Sequence, residues 1–248
     1  MYSRSASNAK DRLMKNRHIV VTGSSSGIGK ATAEKLLDEG ATVIGIARQH
    51  EKFQPNTDRY KPIKLDMENL DILHEKIKEI FLLYPHLDGI VCNAGTGQFA
   101  NLENFSPQQI HSYINSNLIA PMILIRTVIP YFKQKNCGDI IIIGSESALK
   151  GAQKGSLYCA VKFGLRGFAQ AIREETSNRD IRVSLINPGM VRTQFFDKLA
   201  FSPGTDTSNA IEPEDIAITV SNTLAMRKGT VIDEINLTPL KRVVIFDK

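Results

Sequence analysis

"VVTGSSSGIGKA", Val20 to Ala31, is the stretch on which the reading of this chain turns. A short β-branched run leads into a turn of glycine and serine, and a helical pattern follows. Between a strand and a helix, such a turn leaves backbone N–H groups free to face a phosphate. Glycine lets the backbone approach closely and adopt positive φ. The familiar dinucleotide spacing is G-x-G-x-x-G, whereas Gly23, Gly27 and Gly29 are spaced G-x-x-x-G-x-G. The stretch is a degraded nucleotide turn, a nucleotide turn of another kind, or a plain glycine-rich loop, and its surroundings decide which.

Strand and helix patterns alternate along the rest of the chain. Short apolar runs predict strands at 18–22, 41–47, 61–65, 87–92, 139–144, 181–186 and 231–237. Helical patterns fall at 27–39, 68–83, 107 to about 135, 156–177 and 214–225, with a kink expected at Pro121. Residues 189–207 read as an irregular loop with a short helix, and "KRVVIF" as an edge extension of the sheet. Strands separated by helices of this length imply βαβ units. The expected fold is a single α/β domain, a Rossmann-type doubly wound sheet of seven mostly parallel strands with helices on both faces. Its expected span is 17–248, behind a poorly ordered basic tail at 1–16.

Composition excludes several classes. Of 248 residues, 42% are hydrophobic and 23% charged, as expected of a chain with a proper core. No apolar run approaches the roughly 18 residues of a membrane span. The formal charge is +5, but Arg4, Lys10, Arg12, Lys15 and Arg17 against Asp11 concentrate it at the N-terminus. The body is nearly neutral, without the basic stripe of a nucleic-acid binder. Cys92, Cys137 and Cys159 fit neither a disulfide framework nor a zinc pattern, and the five histidines show no ligand spacing, so no metal is expected. A reducing cytoplasm is the simplest location.

Further motifs stand in order around the opening turn. "NAG" at Asn93, Ala94 and Gly95 follows the fourth strand, and "YCAVK" places Tyr158 and Lys162 four residues apart. Ser145 lies 13 residues before Tyr158, Asn117 sits within "NSNLIAP", and "NPGMVRT" runs from Asn187 to Thr193. This set resembles the short-chain dehydrogenase/reductase family, whose glycine turn is T-G-x-x-x-G-x-G. The opening stretch is then a nucleotide turn of another kind. The resemblance implies a nicotinamide cofactor held by Gly23, Ser24, Ser26, Gly27, Ile28, Gly29, Asn93, Ala94, Gly95, Tyr158, Lys162, Pro188, Gly189, Val191 and Thr193. It also implies that Asp66 reads the adenine amino group, with Met67 beside the ring.

The residues carry a chemistry of their own. Tyr158 and Lys162 share one helix face. A phenol of reference pKa about 10 is a poor base at neutral pH, and a nearby ammonium is expected to lower it. The pair is a candidate general acid/base. Ser145 ends a buried strand and can orient a substrate oxygen; Ser147 competes, at a worse spacing. By resemblance, Asn117 is a fourth catalytic member that holds a proton-relaying water, with Asn115 close by as a rival. The expected reaction interconverts a small-molecule carbonyl and a secondary alcohol by hydride transfer. An idle nucleotide-binding sensor or scaffold and a non-redox epimerase or dehydratase remain as alternatives.

The end of the second strand selects the cofactor. Where NAD-preferring relatives carry Asp, this chain has Ala47, followed by Arg48. A guanidinium pairs well with a phosphate, so NADP(H) is the expected cofactor over NAD(H), with Ser24 adding a hydroxyl. Val161 replaces the Ser or Thr common before the lysine. Glu146 stands beside the site, and would disfavour anionic substrates if it faced inward; an outward orientation is the expected one. Met190, Phe195, Phe196, Leu199 and Phe201 are candidate pocket residues, for which core packing is the competing role. A homodimer or homotetramer is expected through the helices at 107–135 and 156–177, on the apolar residues Ile123, Ile125, Val128, Ile129, Phe163, Leu165 and Phe168.

Overall fold

The computed structural model describes residues 14–246. Seven parallel strands form one sheet in the order β3-β2-β1-β4-β5-β6-β8. They are β1 (His18–Thr22), β2 (Thr42–Ala47), β3 (Tyr60–Lys64), β4 (Gly89–Cys92), β5 (Gly138–Ile143), β6 (Ile181–Pro188) and β8 (Glu234–Leu237). The helices are α1 (Gly27–Asp38), α2 (Leu70–Leu83), α3 (Pro107–Ile114), α4 (Ala120–Lys135), α5 (Ser156–Thr176) and α6 (Pro213–Ala225). Pro62 lies in β3, an outermost strand, where a missing N–H is tolerated.

Strand periodicity sorts the core. Successive side chains point to opposite faces, so a strand buried on both sides reads as one apolar run. In β5, Ile140 and Ile142 join Val20, Ile44, Ile46 and Ile90 on one face, covered by Leu73 and Ile77 of α2, Leu124 and Val128 of α4, and Leu165 of α5. Ile141 and Ile143 join Ile19, Val21 and Val43 on the other, covered by Leu36 of α1 and Ile216 and Val220 of α6. Met14 is fully buried in this second cluster. The folded region therefore reaches at least to Met14, inside the stretch expected to be a tail; residues 1–13 lie outside the described residues.

Two local expectations need correction. The long helical stretch at 107–135 is not one helix kinked at Pro121. It divides into α3, a π-type segment at Asn115–Ile119, and α4. Pro121 lies in the first turn of α4, has no N–H to offer the Asn117 carbonyl four residues back, and crowds it, so the irregularity sits ahead of the proline. The "KRVVIF" stretch does not extend the main sheet. Its strand β9 (Val244–Phe246) pairs antiparallel with β7 (Phe201–Pro203), within the region read as irregular loop.

A charge cluster ties the amino ends of the strands together. Arg17 donates to Asp88 (2.6 Å) and Asp139 (2.7 Å). Arg182 makes two bonds to Asp139 (2.5 and 2.9 Å) and two to the carbonyls of Leu224 and Met226 at the end of α6. Asp139 is buried and shared by both guanidinium groups. Removing one member of such a group strands its partners. Asp139→Ala should destabilise the fold by about 3–5 kcal/mol, read from the urea midpoint at unchanged m-value; a loss below about 1 kcal/mol would show the cluster to behave as a solvated surface pair.

Candidate active site

The glycine turn is built around Thr22, the last residue of β1. Its hydroxyl accepts from the N–H groups of Asn93 (2.9 Å) and Ala94 (3.0 Å), while the Asn93 amide donates to the Thr22 carbonyl (3.0 Å). This seam closes the ends of β1 and β4. Gly23 and Gly27 take φ of +71° and +50°, where a side chain is strained. Gly29 fits for another reason: a Cβ there would stand 2.2 Å from the Gly23 carbonyl oxygen. Ser26, the N-cap of α1, makes no side-chain capping bond, which leaves the first-turn N–H groups to an incoming anion. The cradle fits a phosphate chain.

The remaining proposed cofactor contacts are placed as follows. Ser24 is fully buried and its hydroxyl is 3.0 Å from Tyr60 Oη, so it turns into the sheet and not towards a ribose phosphate. Ser26 is exposed, and Ile28 packs against the core on the α1 side. Ala47 is buried and Arg48 follows at the sheet edge, 62% exposed, with Nη1 3.7 Å from Glu68. Asp66 is exposed and caps the Glu68 N–H (3.0 Å), and Met67 packs against the core. Across the crevice, Pro188 ends β6, the Gly189 N–H donates to Leu237, and Val191 bridges to Ile211. A Cβ on Gly27 would lie 3.3 Å from Thr193, which brings the "NPGMVRT" segment against the glycine turn.

The four proposed catalytic residues gather at the carboxyl edge of β4 and β5. Tyr158 and Ser145 are buried. Burial is the main cause that pushes the Tyr158 phenol up to about 12; the Ser145 hydroxyl pulls against it, and Cys159 and Glu146 add to the rise. Lys162 is pushed down to about 8 by burial. Its Nζ donates to the Ile143 carbonyl (3.2 Å) and lies 5.7 Å from the Tyr158 ring centroid. The phenol, expected below its ordinary value beside the ammonium, is instead raised, because burial disfavours the phenolate. Of the two serines, Ser145 is the one whose hydroxyl pulls on the phenol. Its Oγ also accepts from Ser147 N–H (3.2 Å).

Asn117 is buried and its amide is fully engaged. Oδ1 accepts from Thr96 N–H (2.8 Å), and Nδ2 donates to the Tyr113 carbonyl (3.0 Å) and Ser116 (2.9 Å). A Cβ on Gly95 would stand 2.8 Å from that Oδ1, so Gly95 makes room for the anchor. Val161 is buried beside Tyr158. The Glu146 carboxylate, 38% exposed, lies 3.2 Å from where a Gly189 Cβ would be and adds to the phenol's rise.

Some participants escaped the sequence reading. Phe99 lies 4.9 Å, ring to ring, from Tyr158, and Phe195 6.1 Å. Phe195 and Phe201 were candidates; Phe99 carried no local signal, because only the turn after β4 brings it here. Thr22 was visible as the T of the turn, yet its part in joining β1 to β4 is a long-range contact. Arg192 pairs with Glu212 (3.0 Å) and donates to the carbonyls of Gly204 and Asp206, which sets the base of the 194–206 loop. Among the described residues, no three His, Cys, Asp or Glu converge as metal ligands, and no helix is long and apolar enough to cross a membrane.

Comparison with known proteins agrees with this geometry. The family model described as short chain dehydrogenase matches residues 17–201. An NADP-dependent 3-hydroxy acid dehydrogenase of Schizosaccharomyces pombe is 30% identical over 240 residues, covering 89% of this chain and 92% of the relative. A 3-oxoacyl-(acyl-carrier-protein) reductase of Buchnera aphidicola is 33% identical over 183 residues, covering 72% and 75%. A metagenomic short-chain oxidoreductase solved in complex with NADP superimposes with a TM-score of 0.79 at 29% identity, over 92% of this chain and 98% of that one. An alcohol dehydrogenase from the archaeon Thermococcus sibiricus, complexed with 5-hydroxy-NADP, gives 0.79 at 25% identity over the same shares. With its parallel sheet, glycine cradle and Ser145–Tyr158–Lys162 cluster, the chain belongs to the short-chain dehydrogenase family, oxidoreductases acting on CH–OH groups.

Proposed function

We propose that this protein interconverts a carbonyl and a secondary alcohol with NADP(H) as the preferred cofactor and Tyr158 as general acid/base. The observation that carries the reading is a buried phenol beside the Ser145 hydroxyl and one helical turn from Lys162, on the same sheet edge as a glycine turn whose helix start has no side-chain cap. When bound, a reduced nicotinamide supplies a hydride to the carbonyl carbon. Tyr158 gives its proton to the carbonyl oxygen, so that C–H and O–H bonds replace the C=O π bond. Ser145 orients that oxygen by a hydrogen bond. In the reverse direction Tyr158, first deprotonated through the relay that Asn117 serves, accepts the hydroxyl proton as phenolate, which the Lys162 ammonium favours against the burial that raises the phenol. With its amide committed to Thr96, Asn117 serves the proton relay through its backbone carbonyl, to which Pro121 cannot donate.

The cofactor preference rests on Ala47 and Arg48, now without Ser24. Ala47 offers no carboxylate to ribose hydroxyls, and the loose 3.7 Å pair with Glu68 leaves Arg48 free to turn to a phosphate. The NADP in the solved relatives is consistent with this. Cys92, Cys137 and Cys159 are all free, which suits a reducing cytoplasm. A homo-oligomer remains part of the proposal on family grounds, with less support from the helices than expected. Ile125, Val128 and Leu165 belong to the chain's own core, whereas Phe163 is 45% exposed.

Three outcomes test the proposal. NADPH should bind about one to two decades tighter than NADH, and Arg48→Ala should remove most of that difference, since a charge-assisted contact is worth about 1.5–3 kcal/mol. Equal losses for both cofactors in a fluorescence titration would make Arg48 a loop support only. Tyr158→Phe should abolish turnover and leave NADPH affinity within about threefold, because the ring stays and only the proton-carrying oxygen goes. Near-normal turnover in the folded variant would remove Tyr158 from the mechanism.

Lys162 links function to stability. Its value of about 8 in the fold lies below the ordinary 10.5. The unfolded chain therefore binds more protons between those values, and native stability rises with pH across that window. Below pH 8 the fold carries the full penalty of a buried ammonium. Lys162→Met should raise stability at pH 7 by about 1–3 kcal/mol while abolishing turnover, and the gain should shrink from about pH 8 towards 10.5. Denaturation at pH 7 and pH 10 checks it; a destabilised variant at pH 7 would show that the Ile143 bond outweighs desolvation.

A further inference from the structure

A continuous aromatic row leads away from the catalytic phenol. Phe99 stacks tilted on Tyr158 at 4.9 Å and meets Phe201 edge to face at 5.0 Å. Phe195 stands edge to face to Tyr158 at 6.1 Å, Phe196 touches both Phe195 (5.1 Å) and Phe201 (5.8 Å), and Phe201 reaches Phe246 at 6.4 Å. Phe99, Phe195, Phe196 and Phe201 are half-buried, and Tyr158 is buried. The row is held in place from two sides. Gly97 leaves the space its Cβ would need to the Phe195 ring, 2.2 Å away, and β9 pairs with β7 behind Phe201.

The polar side of the site is equally particular. Glu146 directly follows Ser145, and its carboxylate lies against Gly189. The cation nearest to it by contact, Arg242, stands 3.9 Å away and is 71% exposed, so water screens it. A substrate carboxylate near Ser145 would meet a like charge in a partly desolvated site, where repulsion is stronger than in water. Aromatic rings, by contrast, favour a flat or apolar group through burial and ring packing.

We infer that the substrate is an uncharged carbonyl or secondary alcohol bearing an aryl or alkyl substituent, with Phe99 and Phe195 reading that substituent and Glu146 excluding free carboxylic acids. The inference rests on the carbonyl–alcohol activity proposed above. It sets this chain apart from the acid substrate that the name of its Schizosaccharomyces pombe relative specifies.

Two matched pairs test it in the oxidation direction, with NADP as acceptor and absorbance of the reduced nicotinamide as readout. Methyl 3-hydroxybutanoate should exceed 3-hydroxybutanoate in kcat/KM by about tenfold or more, and 1-phenylethanol should exceed 2-propanol by a similar factor. Glu146→Gln should narrow the first ratio at least about threefold and leave the second. Phe99→Ala should narrow the second and leave the first. Equal or better use of the acid would overturn the inference, most directly if Arg242→Ala then abolished it and so showed Arg242 to receive the carboxylate. Calorimetric titration of the NADPH-loaded protein with benzamide and benzoate separates this inference from the activity on which it rests. Tighter benzamide binding without turnover of any alcohol would retain the pocket's preference and reject the activity. Equal affinities, or no binding of either at millimolar concentration, would reject the preference itself.

Discussion

Every functional element of this structure depends on the junction at the end of β1. There the Thr22 hydroxyl takes two N–H groups from the start of the "NAG" turn, and Asn93 returns a bond to the Thr22 carbonyl. These bonds hold β1 and β4 together where the chain crosses over in opposite directions, towards β2 on one side and β5 on the other. A crevice at the carboxyl ends is the consequence of that topology. The glycine turn opens on its one side and Ser145 and Tyr158 on the other. Gly29 and Gly95 are the close approaches that let the neighbouring backbone and Asn117 seat at this junction.

The two edges of the sheet are treated differently. At the amino edge, Arg17, Asp88, Asp139 and Arg182 pair among themselves and with the end of α6, so buried charge is matched. At the carboxyl edge, Lys162 has one carbonyl partner and no carboxylate bonded to it among the described residues, and Tyr158 is desolvated. An amino group and a phenol whose protonation is displaced from ordinary values are poor for stability and suited to proton transfer. The paired edge stabilises the scaffold on which the unpaired edge is held.

The substrate side is assembled from distant pieces. Phe99 comes from the turn after β4, Phe195 and Phe201 from the loop after β6, and Phe246 from the C-terminal strand. Antiparallel pairing of β7 with β9 and the Arg192 contacts to Gly204 and Asp206 give that loop a fixed base. Loops carry specificity when a rigid scaffold positions them, and here the chain's last strand is part of that scaffold.

The sequence by itself determined the strand and helix alternation, the seven-stranded parallel sheet, the glycine turn between the first strand and helix, and the placing of Tyr158 and Lys162 on one helix face. These are local signals: apolar runs with period 2 or 3.6, glycines at fixed offsets, and two side chains one helical turn apart. Tertiary structure decided what depends on neighbours remote in the chain. Ser24 looked available to a phosphate, but Tyr60 from β3 takes its hydroxyl. Glu146 had two possible orientations, and its carboxylate comes to lie between Gly189 of the loop after β6 and Arg242. The Tyr158 phenol was expected below its ordinary value, but burial, which no spacing reveals, raises it. Met14 and β9 were assigned to a tail and to the main sheet until the second core cluster and β7 claimed them. Spacing specifies which groups can meet along one element; desolvation and long-range pairing arise only when several elements close around them.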